Sequence, residues 1–422
     1  MLDIRLLRDR PDFVKARLAT RGPGMDDIVE AVLAADSRRR AVETDLQSLQ
    51  AERNRLSKEI GAMRSKGHDT ALLEAGVKSH AAKMQGLAQQ GALLEQEQRD
   101  LLLTIPNLPQ PGVPAGNDSS QNPVVRTWGE RPPSRRTEDH VSIAGRLDLI
   151  DFERSARMSG SGFACFKGKG ARLERALLNF LLDLHTKDHG YTEVSPPFLI
   201  RPESLVGTSN LPKFEEQLYR VERDSLYLAP TAEVPLTNLH REEVLPLASL
   251  PLKYTAYTPC FRREAGAAGV GTRGLIRMHQ FDKVELVKIC VPESSDAELE
   301  TLTRDAERAL QILGLSYRVI ELCTGDLGFG AARTYDIEVW SPGQDAFLEV
   351  SSCSNFQDFQ ARRMNLRFKG RDGKNHFCHT LNGSGTALAR LYVALLETGV
   401  QGDGTISLPE PLHPYFGARI ID

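Results

Sequence analysis

A segment of charged and aromatic residues at positions 261–285 has the composition needed to bind a charged ligand. It reads Phe-Arg-Arg-Glu, then a glycine-rich stretch, then His-Gln-Phe-Asp-Lys-Val-Glu, which predicts two antiparallel strands joined by a loop. Because side chains alternate between the faces of a strand, Arg262 and Glu264 are expected to share one face. On the return strand, one face is expected to carry Phe281, Lys283 and Glu285. A cation, carboxylates and a ring on one sheet surface suit a nucleotide bound beside a charged co-substrate.

Three further segments carry polar motifs in a fixed order along the chain. They are Thr-Ala-Glu at 231–233, Glu-Val-Ser-Ser-Cys-Ser-Asn at 349–355 and Leu-Asn-Gly-Ser-Gly-Thr-Ala-Leu-Ala-Arg at 381–390. With residues 261–285 they resemble the motifs of class II aminoacyl-tRNA synthetases, in the form found in the seryl-tRNA synthetase family. The similarity runs from Met-Leu-Asp-Ile-Arg-Leu-Leu-Arg at the start to Leu-Pro-Glu-Pro-Leu-His-Pro-Tyr-Phe near the end. One glycine-rich loop would be weak evidence, whereas four ordered motifs are specific.

The resemblance implies an ATP site and assigns roles to the matching residues. Arg262 and Arg390 would be the catalytic arginines, since a guanidinium can hold phosphate and carboxylate oxygens together. Phe281 would stack on adenine, with Arg390 covering the base from the other side. The full set implied for ATP is Arg262, Arg263, Glu264, Met278, Phe281, Glu349, Val350, Ser351, Ser352 and Arg390. The loop 265–274, with four glycines and Arg273 near its end, would close over the nucleotide.

The same resemblance implies a magnesium site and a serine site. Glu349 would hold Mg²⁺ against the ATP phosphates with Ser352 nearby, as Mg²⁺ usually takes one or two carboxylates plus substrate phosphates. The residues implied for L-serine are Thr231, Ala232, Glu233, Glu285 and Ser384. A buried site that bonds a hydroxyl rejects alanine, because its own polar groups would otherwise be left unpaired. Threonine must be excluded by shape. No histidine of these motifs is assigned as a general base.

The implied activity is that of an ATP-dependent serine–tRNA ligase. Serine would be activated to seryl-adenylate with release of pyrophosphate, and then transferred to the 3′ end of tRNA(Ser). Whether tRNA(Sec) is a second acceptor stays open. The chain departs from the family pattern in the third motif, which commonly reads Gly-Leu-x-x-Gly-Arg but here has Thr386 and Ala389. The two changes affect the expected shape of the pocket rather than the assignment.

Composition and short motifs exclude several other classes. With 422 residues and a net charge of −3, RNA contacts must come from local patches. The six cysteines include no Cys-x-x-Cys pair, which favours reduced thiols and a cytoplasmic protein. His376, Cys378 and His379 lack a second ligand pair at zinc spacing. A charged start argues against a signal peptide, and no apolar run approaches the roughly 20 residues of a membrane span. Neither a Gly-x-Gly-x-x-Gly dinucleotide motif nor a P-loop occurs.

The N-terminal region has the heptad spacing of a two-stranded coiled coil. The first run of apolar positions is Ile28, Val32, Ala35, Val42, Leu46, Leu49, Leu56, Ile60 and Met63, with Arg39 and Arg53 at the skipped positions. The second, weaker run is Leu73, Val77, His80, Met84, Leu87, Gly91, Leu94, Gln98 and Leu101. A break at 66–69 predicts an antiparallel hairpin. By itself the modest basic excess suits a solvated surface. The resemblance instead implies that this arm binds tRNA through Arg38, Arg39, Arg53, Arg55 and Lys58.

These observations predict an α+β fold: an antiparallel sheet flanked by helices, with a long N-terminal helical hairpin. The expected domains are a tRNA-binding domain at 1–105, a Pro- and Gly-rich linker at 106–133 and a class II catalytic domain at 134–422. A helix at 171–188 followed by a strand with Pro196 and Pro197 resembles the dimer-forming motif of the class, so a homodimer is implied. Helices are also expected near 296–313 and 383–397. Strands are expected at 225–236, 254–264, 278–290, 317–322, 335–340 and 346–352.

Two alternatives to a tRNA ligase use the same fold. One is a ligase that loads an amino acid onto a carrier protein, although such relatives lack a tRNA-binding arm. The other is a non-catalytic paralogue, which would be expected to have lost Arg262, Glu349 or Arg390. Taken singly, each of these residues also has an ordinary structural role, and only their common register with one family favours catalysis.

Overall fold

The structure is a computed structural model that describes residues 1–134, 138–265 and 274–422. The chain forms two compact units, Met1–Pro106 and Asn107–Asp422. The helices of the first unit are α1 (Ile4–Asp9), α2 (Pro11–Ala19), α3 (Asp26–Arg64) and α4 (Ala71–Thr104). At 39 residues, α3 extends over about 58 Å.

Helices α3 and α4 pair antiparallel, as the heptad spacing predicts. Cross-helix contacts run from Arg38 with Glu97 at the base to Arg64 with Glu74 at the tip, at 2.6 and 2.7 Å. Along α4 the less exposed side chains follow the predicted register from Leu73 to Leu101. Beyond Val42 the seam positions of α3 are only partly covered, because a two-helix seam offers a single partner surface.

Two of the three glycines in α4 face α3, at distances where a Cβ would also fit. A Cβ on Gly76 would lie 3.9 Å from Leu56, and a Cβ on Gly91 would lie 3.8 Å from Val42. Gly86 has open space around it. Although glycine has low helix propensity, α4 is continuous through all three positions, since the seam contacts of the hairpin hold it.

The second unit contains the strands and the remaining helices. Its strands are β1 (Val124–Trp128), β2 (Thr192–Glu193), β3 (Leu199–Ile200), β4 (Arg220–Val221), β5 (Leu226–Leu228), β6 (Val244–Pro246), β7 (Leu252–Phe261), β8 (Gln280–Cys290), β9 (Tyr317–Glu321), β10 (Arg333–Ser341), β11 (Ala346–Gln357), β12 (Arg367–Lys369), β13 (Asn375–Phe377), β14 (His379–Ala387), β15 (Ile406–Ser407) and β16 (Ile420–Ile421). Its helices are α5 (His140–Arg146), α6 (Phe152–Ser159), α7 (Lys169–Asp183), α8 (Pro202–Gly207), α9 (Glu233–Thr237), α10 (Ser295–Ile312), α11 (Phe359–Met364), α12 (Leu388–Gly399) and α13 (His413–Phe416).

Eight strands of the described residues form one sheet in the order β1-β9-β10-β11-β14-β8-β7-β2. Neighbours are antiparallel except β2, which runs parallel to β7 at one edge. Smaller sheets are β13-β12-β6, β3-β5-β4 and β15-β16. The predicted α+β class, an antiparallel sheet with helices and an N-terminal helical hairpin, is confirmed.

Helices α7, α10 and α12 cover one face of the large sheet. Val284 and Leu286 of β8 are buried there against residues of all three helices, including Leu177, Leu302 and Leu391. Because side chains alternate along β8, Lys283 and Glu285 must emerge on the opposite face. The hydrophobic core therefore fixes one face of the sheet and leaves the other to the polar motifs.

Several predicted elements match and others need correction. Strands β7 to β11 lie at the predicted positions within a few residues, as does α10. The helix expected at 383–397 was wrong in its first turn, since residues up to Ala387 belong to β14 and the helix begins at Leu388. The strand expected at 225–236 ends at Leu228 and gives way to α9. In both places backbone pairing with neighbouring strands, which local propensity does not reveal, decides the boundary.

Part of the stretch expected to be a linker is folded into the second unit. The Asn107 side chain donates to the carbonyls of Gly330 and Phe356, both at 2.9 Å. Strand β1 pairs with β9 at the sheet edge. In the described part of the chain, no helix combines the length and the apolar character needed to cross a membrane.

Candidate active site

Two adjoining cavities lie on the sheet face opposite the three helices. The Phe281 cavity, of about 260 Å³, is lined by Arg262, Glu264, Leu275, Ile276, Arg277, Met278, Phe281, Lys283, Glu349, Val350, Ser384, Ala387, Ala389 and Arg390. The Glu285 cavity, of about 320 Å³, is lined among others by Thr231, Glu233, Arg262, Lys283, Glu285, Glu349, Ser352, Asn382 and Ser384. The residues common to both are Arg262, Lys283, Glu349 and Ser384. Two ligands in these cavities would therefore meet at the same charged side chains.

Arg262 stands where β7 has ended, at the junction of the cavities. Its backbone N–H donates to the carbonyl of His279 at 2.9 Å, and the His279 ring lies 3.0 Å from the Arg262 carbonyl. Its Nε donates to the carbonyl of Pro230 at 3.3 Å. The guanidinium lies 5.2 Å from the centroid of Phe281, within cation–π distance. These contacts fix the arginine beside an aromatic surface.

Glu264 reaches the same cavity by a turn of the backbone rather than by strand alternation. Its φ of 48° is in the left-handed region, and β7 ends three residues earlier at Phe261. Arg277 donates to Glu264 at 2.7 Å, and both side chains line the Phe281 cavity. Arg263, between the two cavity residues, is exposed. The loop 265–274 proposed to close over a nucleotide lies largely outside the described residues.

Arg390 closes the other side of the Phe281 cavity from the first turn of α12. Its Nη1 donates to the backbone carbonyl of Glu349 at 2.7 Å and lies 3.6 Å from the Glu349 carboxylate. Its Nε donates to the carbonyl of Ile276 at 3.3 Å. The Glu349 side chain is 47% exposed, so its carboxylate remains accessible to a ligand.

A β-bulge in β11 decides which residues of the 349–352 motif face the cavities. Ile337 pairs with Ser351 and Glu338 with Glu349, so Val350 is the extra residue. Glu349 and Ser352 consequently both line the Glu285 cavity. Ser351 is turned away: it is buried, donates to the carbonyl of Ser384 at 2.6 Å and contacts Cys353.

Glu285 is a fully buried carboxylate with a complete set of partners. It forms an ion pair with Lys283 on its own strand. Thr231 donates to one oxygen at 3.2 Å, and Asn382 donates to the other at 3.1 Å. A buried charge is tolerated only when it is paired and hydrogen-bonded, and all three partners here come from motif segments.

Glu233 begins α9 and supplies the second carboxylate of the Glu285 cavity. Gln360 donates to it at 2.8 Å. Burial, and then the nearby charge of Glu285, raise the pKa of Glu233 to about 7. The neighbouring residue Ala232 is buried against Leu236 and does not line the Glu285 cavity. Ser384 pairs directly with Glu285 across the strands and touches both cavities.

Asp336 of β10 adds a carboxylate that the motifs did not reveal. It pairs with Ser352 across the strands, and one of its oxygens is buried with no hydrogen-bond partner among the described residues. Burial, and then the charge of Glu349, hold the pKa of Asp336 well above its usual value. A cation bound between the carboxylates of Asp336 and Glu349 would offset both the cost of burying Asp336 and its repulsion from Glu349.

Sequence reasoning left several residues of the site unassigned. Lys283 was placed on the correct strand face but given no role, and Asn382 lies within a quoted motif. Arg277 lies within the quoted segment 261–285 but was also given no role. Gln360 and Asp336 lie outside the motifs and reach the site through α11 and β10. Asp336 and Glu338 alternate with apolar residues along β10, and this pattern could have indicated Asp336 as a site residue.

The histidines and cysteine set aside as metal ligands have other contacts. His376 pairs with Asp372 at 3.0 Å, and His379 bonds Ser295 at 2.9 Å. Cys378 is buried in an apolar cluster with Met364. Within the described residues no group of three His, Cys, Asp or Glu side chains is arranged to hold a metal ion.

The basic residues proposed for the arm differ in how free they are to bind a ligand. Arg39 and Arg53 occupy seam positions and are partly covered. Arg39 contacts Asp36 at 3.6 Å and Glu43 at 3.0 Å. Arg55 is 68% exposed with Glu59 at 3.7 Å, and Lys58 is exposed. Arg55 and Lys58, on the outer surface, are therefore more available than the seam residues.

Comparisons with known proteins find relatives that match both units of the chain. Residues 1–109 match the seryl-tRNA synthetase N-terminal domain, and residues 214–399 match the tRNA synthetase class II core domain (G, H, P, S and T). The chain is 56% identical over 421 residues to a serine–tRNA ligase of Akkermansia muciniphila, covering 100% of this chain and 99% of the relative. It is 50% identical to the serine–tRNA ligase of Syntrophobacter fumaroxidans, covering 99% of each.

A solved structure resembles this chain over its full length. The seryl-tRNA synthetase of Pyrococcus horikoshii complexed with ATP superposes with a TM-score of 0.93 at 38% identity. The match covers 100% of this chain and 99% of that one.

Proposed function

The chain belongs to the seryl-tRNA synthetase family, and from that premise we propose how its two cavities divide the reaction of a serine–tRNA ligase. ATP occupies the Phe281 cavity and L-serine the Glu285 cavity, and serine is then transferred to the 3′ end of tRNA(Ser). The observation that carries the proposal is the sharing of Arg262, Lys283, Glu349 and Ser384 by both cavities. An attacking carboxylate and an α-phosphate must meet, and these residues stand where they would.

The first step is a problem of charge and position. The carboxylate of serine attacks the α-phosphorus of ATP, so two anions approach and negative charge builds on the phosphoryl oxygens. Arg262 lies at the junction and can bind oxygens of both groups. Fixed cationic donors aimed at developing charge lower such barriers without proton transfer. No general base is assigned, and substrate phosphate oxygens accept the proton in the second step.

The adenine fits between Phe281 and Arg390. The ring stacks on the phenyl face, while the guanidinium covers its other side. Leu275, Ile276, Met278 and Ala389 supply the apolar rim. Arg390 is already bonded to backbone carbonyls of Glu349 and Ile276, so little ordering is needed when the nucleotide binds.

Serine is recognised by the carboxylates of the second cavity. Glu233 and Glu285 attract the ammonium group, and the polar groups around Glu285 bond the hydroxyl. Alanine would leave those groups unpaired, and threonine must be rejected by the limited volume beside Ser384.

Glu349 and Ser352 would hold Mg²⁺, with Asp336 close behind them. The donor set of hard oxygens suits this ion, and the unpartnered buried oxygen of Asp336 is consistent with a cation nearby. Bound there, Mg²⁺ would neutralise phosphate charge and orient the leaving pyrophosphate.

The N-terminal hairpin binds tRNA in this proposal, mainly through exposed residues such as Arg55 and Lys58. Long A-form arms are recognised by shape and backbone phosphate, which suits scattered cations. We further propose a homodimer in the cytoplasm. Exposed Phe198 and Leu199, a few residues after the edge strand β2, and six free thiols support these two points. Sedimentation velocity would test the dimer.

Serine-dependent ATP–pyrophosphate exchange tests the first step. Serine should support exchange, while alanine and threonine should support it at least about a hundredfold less. Alanine lacks the hydroxyl that the site bonds, and the extra methyl group of threonine exceeds the space beside Ser384. No exchange with serine would refute the proposal. Charging of total tRNA with labelled serine then tests the acceptor, and purified tRNA(Sec) decides whether it is a second one. Acylation of a carrier protein but not of tRNA would favour the alternative ligase.

The arm can be tested apart from the chemistry. Deleting residues 30–100 should abolish charging of tRNA(Ser) while leaving pyrophosphate exchange nearly intact, because the adenylate site lies in the second unit. The exchange assay is the internal control for folding. Equal loss of both activities would show that the arm supports the fold rather than the tRNA.

A further inference from the structure

We infer that His140, with Glu397, is a positioning residue for the nucleotide, because it holds the wall of the Phe281 cavity formed by Leu275 and Ile276. The inference rests on the proposed function in so far as that cavity takes ATP. None of the motif segments contains His140; it begins α5, far from the cavity residues in sequence.

His140 and Glu397 form a buried pair. The backbone N–H of His140 donates to Glu397 at 3.0 Å, and the ring Nδ1 lies 3.1 Å from the same oxygen. The other oxygen accepts from the N–H of Gly343 at 3.0 Å and from the hydroxyl of Ser341. Both side chains are almost completely buried. A carboxylate with four donors in a dry site holds the imidazole ring in one orientation.

The far side of the same ring bonds the cavity wall. The backbone N–H of Leu275 donates to Nε2 of His140 at 3.2 Å. Nε2 must therefore be unprotonated, which places the ring proton on Nδ1, where it donates to Glu397. Because the ring bonds both residues, the fixed position of Glu397 also fixes the position of Leu275.

The chain lies unusually close to the ring at this point. A Cβ on Gly274 would stand 2.3 Å from Nε2 of His140, so only glycine fits, and its φ of 70° suits glycine as well. Gly274 therefore lets the backbone approach the imidazole closely just before the cavity wall begins at Leu275.

Helix α12 anchors the wall at two points. Arg390, in its first turn, binds the carbonyl of Ile276, and Glu397, two turns later on the same helix, acts on Leu275 through His140. Residues seven apart lie on the same side of a helix. The arginine proposed to cover adenine and the wall proposed to border it are therefore set by one rigid element.

Two substitutions separate the two bonds of the ring. In His140→Asn the amide lies near the position of Nδ1 and can still bond Glu397, but it cannot reach Leu275. In His140→Gln the amide reaches the position of Nε2 and can accept from Leu275. His376→Asn is the matched control, since His376 also bonds a carboxylate but lies at the surface away from both cavities.

The readouts are KM for ATP and KM for serine in pyrophosphate exchange, together with thermal unfolding. We expect His140→Asn to raise KM for ATP about tenfold, as the loss of one buried hydrogen bond predicts, with KM for serine within about twofold. His140→Gln should recover most of the ATP affinity, and His376→Asn should match the unchanged enzyme.

An unchanged KM for ATP in His140→Asn would overturn the inference, as would equal increases in both KM values with no rescue by His140→Gln. Binding of a non-hydrolysable ATP analogue, measured by calorimetry, covers the case in which turnover is lost. Failure of the unchanged enzyme to support serine-dependent exchange would instead count against the proposed function.

Discussion

The Phe281 cavity and the Glu285 cavity adjoin, yet their charges are held in different ways. In the Glu285 cavity the central carboxylate is fully buried and bonded to Lys283, Thr231 and Asn382. In the Phe281 cavity the side chains of Glu264, Arg277, Glu349 and Arg390 are partly exposed, and Arg390 is held largely by backbone carbonyls. A buried central carboxylate with a complete set of partners suits selection of one small substrate. Partly hydrated charges suit a nucleotide that enters as ATP and leaves as AMP and pyrophosphate.

Arg262 belongs to both cavities, so its loss should have the largest effect. Arg262→Ala should lower the rate of serine-dependent pyrophosphate exchange about a thousandfold, because a cation aimed at the developing charge is removed. Arg263→Ala is the comparison, since its side chain is exposed. Because Arg263→Ala removes no cation aimed at the developing charge, its rate of pyrophosphate exchange should fall by less than about tenfold. Similar losses in both variants would mean that the exposed arginine also reaches the nucleotide.

Breaking the buried network should affect serine far more than ATP. Glu285→Gln removes the charge paired with Lys283, and leaving a buried charge unpaired costs about 3–5 kcal/mol. We expect KM for serine to rise at least about a hundredfold, with KM for ATP changed only a few fold. Calorimetric binding of ATP measures the control arm. A comparable loss of ATP affinity would show that the two cavities are not energetically separate.

The pKa of Glu233 makes serine binding depend on pH. With a pKa of about 7 in the free site, this carboxyl is ionised above pH 7 and attracts the ammonium of serine. Below pH 7 it becomes protonated and the attraction is lost. KM for serine should therefore rise about tenfold from pH 8 to pH 6, while KM for ATP stays nearly constant.

Glu233→Gln provides the control for this pH dependence. The variant should bind serine more weakly at pH 8 and should no longer change between pH 8 and pH 6. If Glu233→Gln kept the pH dependence of serine binding, a group other than Glu233 would be its cause.

The smallest effect is expected from the exposed ion pair of the Phe281 cavity. Arg277 is 46% exposed and bonds Glu264 at 2.7 Å, and exposed pairs contribute about 1 kcal/mol or less. Arg277→Ala should raise KM for ATP about threefold to fivefold, and the effect should shrink in high salt. A hundredfold increase would show that this cavity depends on its charges as strongly as the Glu285 cavity does.

The arm and the catalytic unit were not equally predictable. The seam of the hairpin follows the heptad spacing residue by residue, from Leu73 to Leu101, because local periodicity alone decides which side of a helix is covered. In the catalytic unit the strands β7 to β11 could be located, but residues 383–387 of β14 were expected to begin a helix. Its Asn-Gly-Ser-Gly sequence has little strand propensity, and pairing on both sides with β8 and β11 holds it extended.

Bulges account for the site residues whose orientation could not be foreseen. Simple alternation would place Ser351 on the same face as Glu349, but the extra residue Val350 brings Ser352 there instead. A bulge depends on the register of the partner strand, which is distant in sequence.

Local spacing and ordered motifs were enough to predict the periodic hairpin, the family and the residue types available for ATP and serine. The folded structure was needed to know which of those residues meet. It placed Asp336, Gln360 and His140 around the cavities and turned Ser351 away. The physical reason is that long-range strand pairing and burial set the direction and the charge environment of a side chain, and neither can be read from its immediate neighbours.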